Sequence, residues 1–349
     1  MPGGRTGPVH TDPVGLDLAA LSSWLDGRTP GLLDGPLRAR LLAGGRSNLT
    51  YEVSSPAGSV VVRRPPLGHV LATAHDMVRE HRVITALHGT GVPVPRTYAV
   101  CADPSVLGAP FYVMEKVSGT AYRLASQLEP LGAQRTRAVC ARMVDTLVAL
   151  HAVDPVPVGL GDFGRPEGFL ARQVRRWGAQ LAASRSRELV GADELLAQLG
   201  CRLPPGSAAA VIHGDYRLDN LLVDEHDRVA AVVDWEMATL GDPLTDVALL
   251  LVYDRLAELD TASAVSDAPS APGFLTRDEV LERYSAGTGR DLTAIGFYEA
   301  LACLKLAVVL EGIHYRYVQG DTVGTGFDTV GTLVEPLLAR GLAATKEHP

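Results

Sequence analysis

The stretch His213-Gly214-Asp215-Tyr216-Arg217-Leu218-Asp219-Asn220 decides how this chain is read. It has the form H-x-D-x-x-x-x-N. Upstream, Ala208-Ala209-Ala210-Val211-Ile212 is apolar and suits a strand. Downstream, Leu221-Leu222-Val223 and Val229-Ala230-Ala231-Val232-Val233 flank the polar turn Asp224-Glu225-His226-Asp227 and read as a hairpin. The second arm ends in Asp234-Trp235-Glu236. A carboxylate, an amide five residues later and a second carboxylate beyond a hairpin are thereby brought to one end of a strand pair.

Phosphoryl transfer needs an oriented hydroxyl, a metal on the phosphates and positive charge where negative charge spreads. Asp215 can accept the proton of an attacking hydroxyl. Asn220 offers a neutral oxygen and Asp234 an anionic one, hard donors suited to Mg2+. His213 is expected to brace the loop by hydrogen bonds. Arg217, two residues past the base, is expected to face outward and reach the transferring phosphate. Glu236 is expected to point the same way as Asp234 along the strand, as a second metal contact or as a capping carboxylate.

With these residues in view, His213 to Asp246 resembles the core of the aminoglycoside phosphotransferase and choline kinase superfamily. More narrowly, it resembles the branch that includes the kinase-like N-terminal part of acyl-CoA dehydrogenase family members 10 and 11. Gly44-Gly45-Arg46-Ser47-Asn48-Leu49-Thr50-Tyr51, Val62-Arg63-Arg64-Pro65-Pro66 and Gly108 to Glu115 extend the likeness, as do Thr288 to Leu292 and Lys305 to Gly312. It covers about residues 15 to 340. It implies an α+β, two-lobed protein-kinase-like fold, with ATP and Mg2+ as cofactors. A tail over 1–14 is expected to be disordered. A small antiparallel-sheet N-lobe over 15–116 would bind nucleotide, and a larger, mainly helical C-lobe over 117–349 would carry the catalytic loop, metal site and acceptor pocket.

The residue pattern agrees with that division. Strands are expected at Arg38–Leu42, Thr50–Val53, Ser59–Arg64, Tyr98–Cys101 and Phe111–Glu115, with a short helix at Leu16–Leu25 and another at Ala74–Leu87. Beyond Glu115 the spacing predicts helices over Arg135–His151, Phe169–Ser184, Leu244–Leu256 and Phe297–Tyr317. Asp242 and Pro243 are placed to start the third of these, and Asp246 resembles the superfamily's residue that braces the catalytic loop. Thr261–Gly273, rich in Ser, Ala, Pro and Asp, reads as a mobile surface loop.

On the nucleotide side, Gly44 to Asn48 replaces the fuller glycine loop of protein kinases. Ser47, Asn48 and backbone N–H groups are the expected phosphate donors. The third strand ends in Val62-Arg63-Arg64 where protein kinases carry lysine. Strand alternation assigns phosphate binding to Arg63 and turns Arg64 away, with Glu80 as the ion-pair partner of Arg63. The resemblance implies a hinge at Met114-Glu115-Lys116-Val117, where the Glu115 carbonyl and Val117 N–H would pair with adenine.

On the acceptor side, no A-P-E motif follows Asp234-Trp235-Glu236, so the segment that holds peptides in protein kinases is missing. A small-molecule hydroxyl acceptor is expected. Tyr122, Arg123, Arg175, Arg176, Lys305, His314 and Arg316 are candidates for its pocket, and the basic ones suit an acidic or phosphate-bearing molecule. The favoured class is a hydroxyacyl-CoA or hydroxy acid. An aminoglycoside or other antibiotic, a choline-like molecule or a sugar remains open, as does a nucleotide-binding pseudokinase acting by interaction.

Length and composition narrow the classes. The 349 residues suit two lobes, and the net charge of -8 gives no support to nucleic-acid binding. Cys101, Cys140, Cys201 and Cys303 form no C-x-x-C pair, which argues for free thiols in a reducing compartment. The Gly/Pro-rich start lacks the apolar core of a signal peptide. No apolar run reaches the roughly 18 residues of a membrane span. The expectation is a cytoplasmic protein, monomer or homodimer, without nucleic-acid or membrane partners.

Overall fold

The computed structural model describes residues 13–42, 48–67, 76–259, 266–320 and 329–347. They fall into two compact units, one built from the residues up to 88 together with 94–117, the other from 89–93 together with 118 onward. Of the expected tail, residues 1–12 lie outside the described residues.

The first unit opens with helix α1 (Leu18–Asp26), started by Asp17, whose carboxylate accepts the Ala20 N–H at 2.8 Å. Strands β1 (Arg38–Leu41), β2 (Leu49–Ser55), β3 (Gly58–Arg64), β4 (Thr97–Cys101) and β5 (Phe111–Glu115) form one antiparallel sheet in the order β1-β2-β3-β5-β4. Helix α2 (Met77–Leu87) lies in sequence between β3 and β4. This is the strand and helix order expected from the sequence.

One face of the sheet, with Tyr51, Val53, Val60, Val62, Phe111 and Val113, closes a core with Leu21, Trp24 and Leu25 of α1. Each such buried side chain contributes about 1.5–3 kcal/mol. The other face meets α2, where His81 lies edge-on to Tyr112 and the Thr85 and Thr97 hydroxyls bond at 2.8 Å. A sheet covered on both sides accounts for the uninterrupted apolar run Val60-Val61-Val62.

The second unit contains helices α3 (Ala125–Leu128), α4 (Gly132–His151), α5 (Phe169–Ser184) and α6 (Ala192–Cys201), then strands β6 (Ala210–Ile212), β7 (Leu221–Val223), β8 (Val229–Val232) and β9 (Thr239–Gly241). Helices α7 (Leu244–Leu259), α8 (Arg277–Thr288), α9 (Ile295–Val318) and α10 (Val334–Glu347) follow. The strands pair antiparallel, β6 with β9 and β7 with β8. Helix α9 packs against α5, α7 and α10, so it is apolar on nearly every side.

Of the expected loop Thr261–Gly273, residues 261–265 lie outside the described residues, and the rest departs from expectation. Its described part is anchored: the Ser266 hydroxyl and Ala268 N–H donate to the Arg123 carbonyl at 2.7 and 3.1 Å, and Asp267 accepts the Ala125 N–H at 2.8 Å. Its alanines supply the reason, since Ala268 and Ala271 are buried.

Candidate active site

Strand β6 delivers His213 to Asn220 as a tight loop that ends in a 3-10 turn, Leu218–Asn220. Gly214 takes φ 81°, and a Cβ there would lie 2.6 Å from the Met237 carbonyl oxygen. Only glycine lets the loop pass so close to the segment after Asp234.

The loop backbone is held from α7. Asp246 in its first turn accepts the His213 N–H at 2.6 Å and the Gly214 N–H at 2.8 Å. Burial would raise the Asp246 pKa, but hydrogen bonding and charge from His151 and the His213 N–H hold it below the usual carboxylate range. His151 Nε2 meets Asp246 at 3.3 Å and its Nδ1 meets the Tyr284 hydroxyl at 2.8 Å, so a buried chain backs the loop. Asp242, just ahead of α7, accepts from the Ser207 N–H and hydroxyl, the Leu244 N–H and the Tyr298 hydroxyl. This supports it as the residue that starts the helix.

His213 is fully buried. Its Nε2 faces the Val233 carbonyl at 3.0 Å and its Nδ1 accepts the Asp215 N–H at 3.2 Å. These partners place the ring hydrogen on Nε2. The ring also lies 4.7 Å from that of Trp235, so it ties the loop to the segment bearing Asp234.

Asp215 is gripped at both oxygens. Oδ1 accepts the Tyr253 hydroxyl at 2.7 Å, and Oδ2 accepts Asn220 Nδ2 at 3.2 Å. Asn220 Nδ2 also donates to the Asp215 carbonyl at 2.8 Å. With the amide nitrogen so engaged, Asn220 Oδ1 is the atom left to act as a ligand. Burial, reinforced by the Asp215 charge, raises the Tyr253 pKa well above its ordinary value, so the phenol stays protonated and donates.

Arg217 does not face outward. It forks onto Asp219 through Nε and Nη2, and its guanidinium lies 4.6 Å over the Tyr253 ring. The backbone is extended as expected, but an acid two residues on and an aromatic ring from α7 turn the side chain inward. Burial opposes its charge, yet Tyr253, Asp219 and Asp215 hold its pKa above the usual value.

The expectation for Glu236 also needs correction. Asp234 takes a left-handed conformation, φ 66° and ψ 60°, and Trp235–Met237 forms a 3-10 turn. Strand alternation therefore does not apply beyond β8, and it gives no reason for Glu236 to point with Asp234.

In the first unit, Arg63 and Arg64 leave opposite faces of β3. Arg63 Nε donates to Glu80 at 3.1 Å, with the side chains 8% and 1% exposed. Arg64 turns to the α1 side and donates to the Gly15 and Leu107 carbonyls. Asn48 is buried, whereas Ser47 lies outside the described residues. The Glu115 N–H donates to the Arg96 carbonyl at 2.8 Å, and its carboxylate accepts the Arg96 N–H at 3.2 Å. Val117 follows two residues after β5, half-buried.

A cavity of about 70 Å³ opens beside the catalytic loop, with Gly214, Met237 and Asp246 in its wall. Of the seven acceptor candidates, Arg176 and Lys305 line it, and Tyr122, Arg123, Arg175, His314 and Arg316 do not. His314 instead packs on the backbone of Gly331. Lys305 Nζ donates to the Gly214 carbonyl, one residue from Asp215. Burial pushes the Lys305 pKa below its usual range, against the pull of Asp215 and Asp246.

The residues that sequence reading passed over are Tyr253, His151 and Trp177. Each sits on a helix among apolar neighbours, where it reads as one more core side chain.

The phosphotransferase enzyme family matches residues 38–295. The chain is 32% identical over 339 residues to acyl-CoA dehydrogenase family member 10 of Mus musculus, covering 95% of this chain but 32% of that protein's length. It thus spans about a third of that relative. A crystal structure of a Ralstonia eutropha JMP134 protein, provisionally described as an aminoglycoside phosphotransferase, is 33% identical with a TM-score of 0.83, covering 95% of this chain and 99% of that one. Aminoglycoside phosphotransferase APH(4)-Ia, in a ternary complex with AMP-PNP and hygromycin B, shares the fold at 17% identity and a TM-score of 0.59, covering 94% of this chain and 98% of its own. Family match, catalytic loop and two-unit architecture agree, and the chain belongs to the phosphotransferase enzyme family.

Proposed function

We propose that this chain transfers the terminal phosphoryl group of ATP to a hydroxyl of a small molecule, with a hydroxy acid or hydroxyacyl-CoA as acceptor. The observation that carries the reading is the Asp215 carboxylate, oriented at both oxygens by Tyr253 and Asn220. In this role Asp215 takes the proton of the attacking hydroxyl, worth about 10²–10⁴-fold in rate. His213 holds the loop.

The donor set fits Mg2+. That ion commonly takes only one or two protein oxygens and completes its shell with phosphates and water. Asn220 Oδ1 and Asp234 supply two oxygens. Among the described residues no group of three or more His, Cys, Asp and Glu side chains is placed to hold a metal, and Mg2+ with ATP does not require one. Bound there, the metal would neutralise phosphate charge.

In the first unit, Arg63 oriented by Glu80 would grip the phosphates, with Ser47 and Asn48 over them. The Glu115 carbonyl and Val117 N–H would pair with the base. The complex of APH(4)-Ia with an ATP analogue supports ATP as the donor. The likeness to part of a protein named for acyl-CoA dehydrogenation supports the acyl setting. A polycationic aminoglycoside would meet Arg176 and Lys305 in the cavity wall, so the antibiotic reading is the weaker one.

A cytoplasmic setting as monomer or homodimer completes the proposal. Three of the four free cysteines are buried, and among the described residues no helix is long and apolar enough to cross a membrane.

The test is incubation with ATP, Mg2+ and a panel of hydroxy acids, hydroxyacyl-CoAs and aminoglycosides, with phosphoester formation followed by phosphorus NMR. A hydroxy acid or its thioester should be phosphorylated, and Asp215→Asn should abolish transfer with Mg-ATP affinity retained. Equal turnover in Asp215→Asn, or product from aminoglycosides alone, would sink the proposal.

A further inference from the structure

Many cations of the second unit are neutralised by an acid, as Arg217, Arg187, Arg277 and Arg283 are by Asp219, Glu311, Glu299 and Asp145. Others, such as Arg142, Arg202 and Arg290, bond backbone carbonyls. Arg176 and Lys305 are set apart by their place. Both line the cavity beside the catalytic loop, and among the described residues neither has a carboxylate within ion-pair distance.

Trp177 joins the two, with Arg176 5.2 Å and Lys305 5.8 Å from its ring. Lys305 spends one N–H on the Gly214 carbonyl, which leaves two of its three donors. Asp246 is the one acid in the cavity wall, and its two oxygens are taken by the His213 and Gly214 N–H groups. Asp215 and Asp246 pull on the Lys305 charge but form no ion pair with it, and a half-buried ammonium without such a pair is costly. Gln173 and Thr239 add polar groups, and Phe169, Leu249 and Leu301 add apolar wall.

We infer that Lys305 and Arg176 form a clamp for the free carboxylate of the acceptor, which selects a hydroxy acid over its ester or CoA thioester. This rests on the phosphotransferase reading above and narrows its acceptor. Lys305 donates to the carboxylate while fixed to Gly214, so the anion is anchored next to the residue before the base. Arg176 closes the outer side with a planar fork suited to two oxygens. The apolar wall takes the hydrocarbon between carboxylate and hydroxyl. The cavity, about 70 Å³ and partly open, has room for a carboxylate and a few carbons. The carboxylate undergoes no reaction in this scheme. It gives the two cations the close ion pair that neither makes within the described residues.

The experiment compares wild type, Lys305→Met and Arg176→Gln on hydroxy acids of graded chain length, their methyl esters and their CoA thioesters. The inference expects wild-type kcat/KM for the best acid to exceed that for its ester by at least about 100-fold. Arg176→Gln should lose about 10- to 100-fold on the acid and little on the ester, in line with one charge-assisted hydrogen bond; Lys305→Met, which also gives up the Gly214 carbonyl, should lose about 10-fold more on the acid than on the ester. Esters or thioesters accepted as well as acids, or equal losses on acid and ester, would overturn the clamp and leave the kinase reading standing.

If no hydroxy compound is phosphorylated, the acceptor class fails, and the clamp is read from butyrate titrated into each protein by NMR. Saturable binding lost in both variants upholds an anion site, and its absence in wild type refutes it. Arg176 is exposed, so Arg176→Gln keeps the test available should Lys305→Met fail to fold.

Discussion

Removing one oxygen atom, by Tyr253→Phe, tests how the carboxylate of Asp215, the proposed base, is held. The phenol donates to Asp215 Oδ1 at 2.7 Å. The substitution keeps the ring, and therefore the surface on which Arg217 stacks at 4.6 Å. A hydrogen bond to a charged group contributes about 1.5–3 kcal/mol. If that loss falls on the transfer step, at 1.36 kcal/mol per decade, kcat drops about 10- to 150-fold. The burial that keeps the phenol protonated also limits replacement by water, which favours the middle of that range.

The assay is steady-state turnover at saturating acceptor, with Mg-ATP affinity measured by calorimetry. Nucleotide affinity should stay within about twofold, because Tyr253 touches the base and nothing else assigned to the nucleotide. A kcat within twofold of wild type would refute Tyr253 as a positioning residue. So would a rise in turnover, which would mean that the phenol competes with the acceptor hydroxyl for Asp215.

Asp234→Ala should remove Mg2+-dependent nucleotide affinity, since it takes away the anionic member of the proposed ligand pair; calorimetry showing unchanged Mg-ATP binding would exclude Asp234. Arg63→Ala and Glu80→Ala should each destabilise by about 3–5 kcal/mol, as expected for breaking a buried pair, and the double-mutant cycle should be strongly non-additive; additive denaturation midpoints would show that the pair does not act as a unit. His151 carries a pKa lowered by burial, against the pull of Asp246, from the ordinary 6.5. The unfolded chain therefore binds more protons just below 6.5, and stability is full above that pH and falls beneath it. Melting temperature should drop from pH 7 to 5.5 by more in wild type than in His151→Gln, and parallel curves would dismiss His151 as the source.

What was readable from the sequence and what was not divides along one physical line. The catalytic loop was legible because two apolar runs bracket it, and each enters a strand pair of its own, β6 with β9 and β7 with β8, which leaves the polar residues between them to a connecting loop. The opposite faces of Arg63 and Arg64 were legible because alternation along β3 is local. The alternation argument for Glu236 failed because a left-handed Asp234 is a backbone choice that a non-glycine residue rarely makes, and no neighbour announces it. The outward reading of Arg217 failed because the side chain answers to Asp219, two residues on, and to Tyr253 from a helix far along the chain. Among the seven acceptor candidates, residue type gave no means of separating Arg176 and Lys305 from the rest. Only the packing of α5 and α9 beside the loop does so.

Helix α7 draws these observations into one argument. Asp246 and Tyr253 are seven positions apart (253 − 246), two turns along one face and ~10.5 Å of rise. Asp246 fixes the backbone at His213 and Gly214, and Tyr253 fixes the carboxylate of Asp215. Asp215 is thus positioned by a helix at two points, and the loop supplies only the chain between them. Such a ruler must not bend. The run Val247 to Val252 between the two contacts is buried along its whole length, which fixes the helix from every side. The strongly apolar character of α7, which reads in the sequence as ordinary core, is what allows two polar side chains to hold the Asp215 carboxylate to a fraction of an ångström.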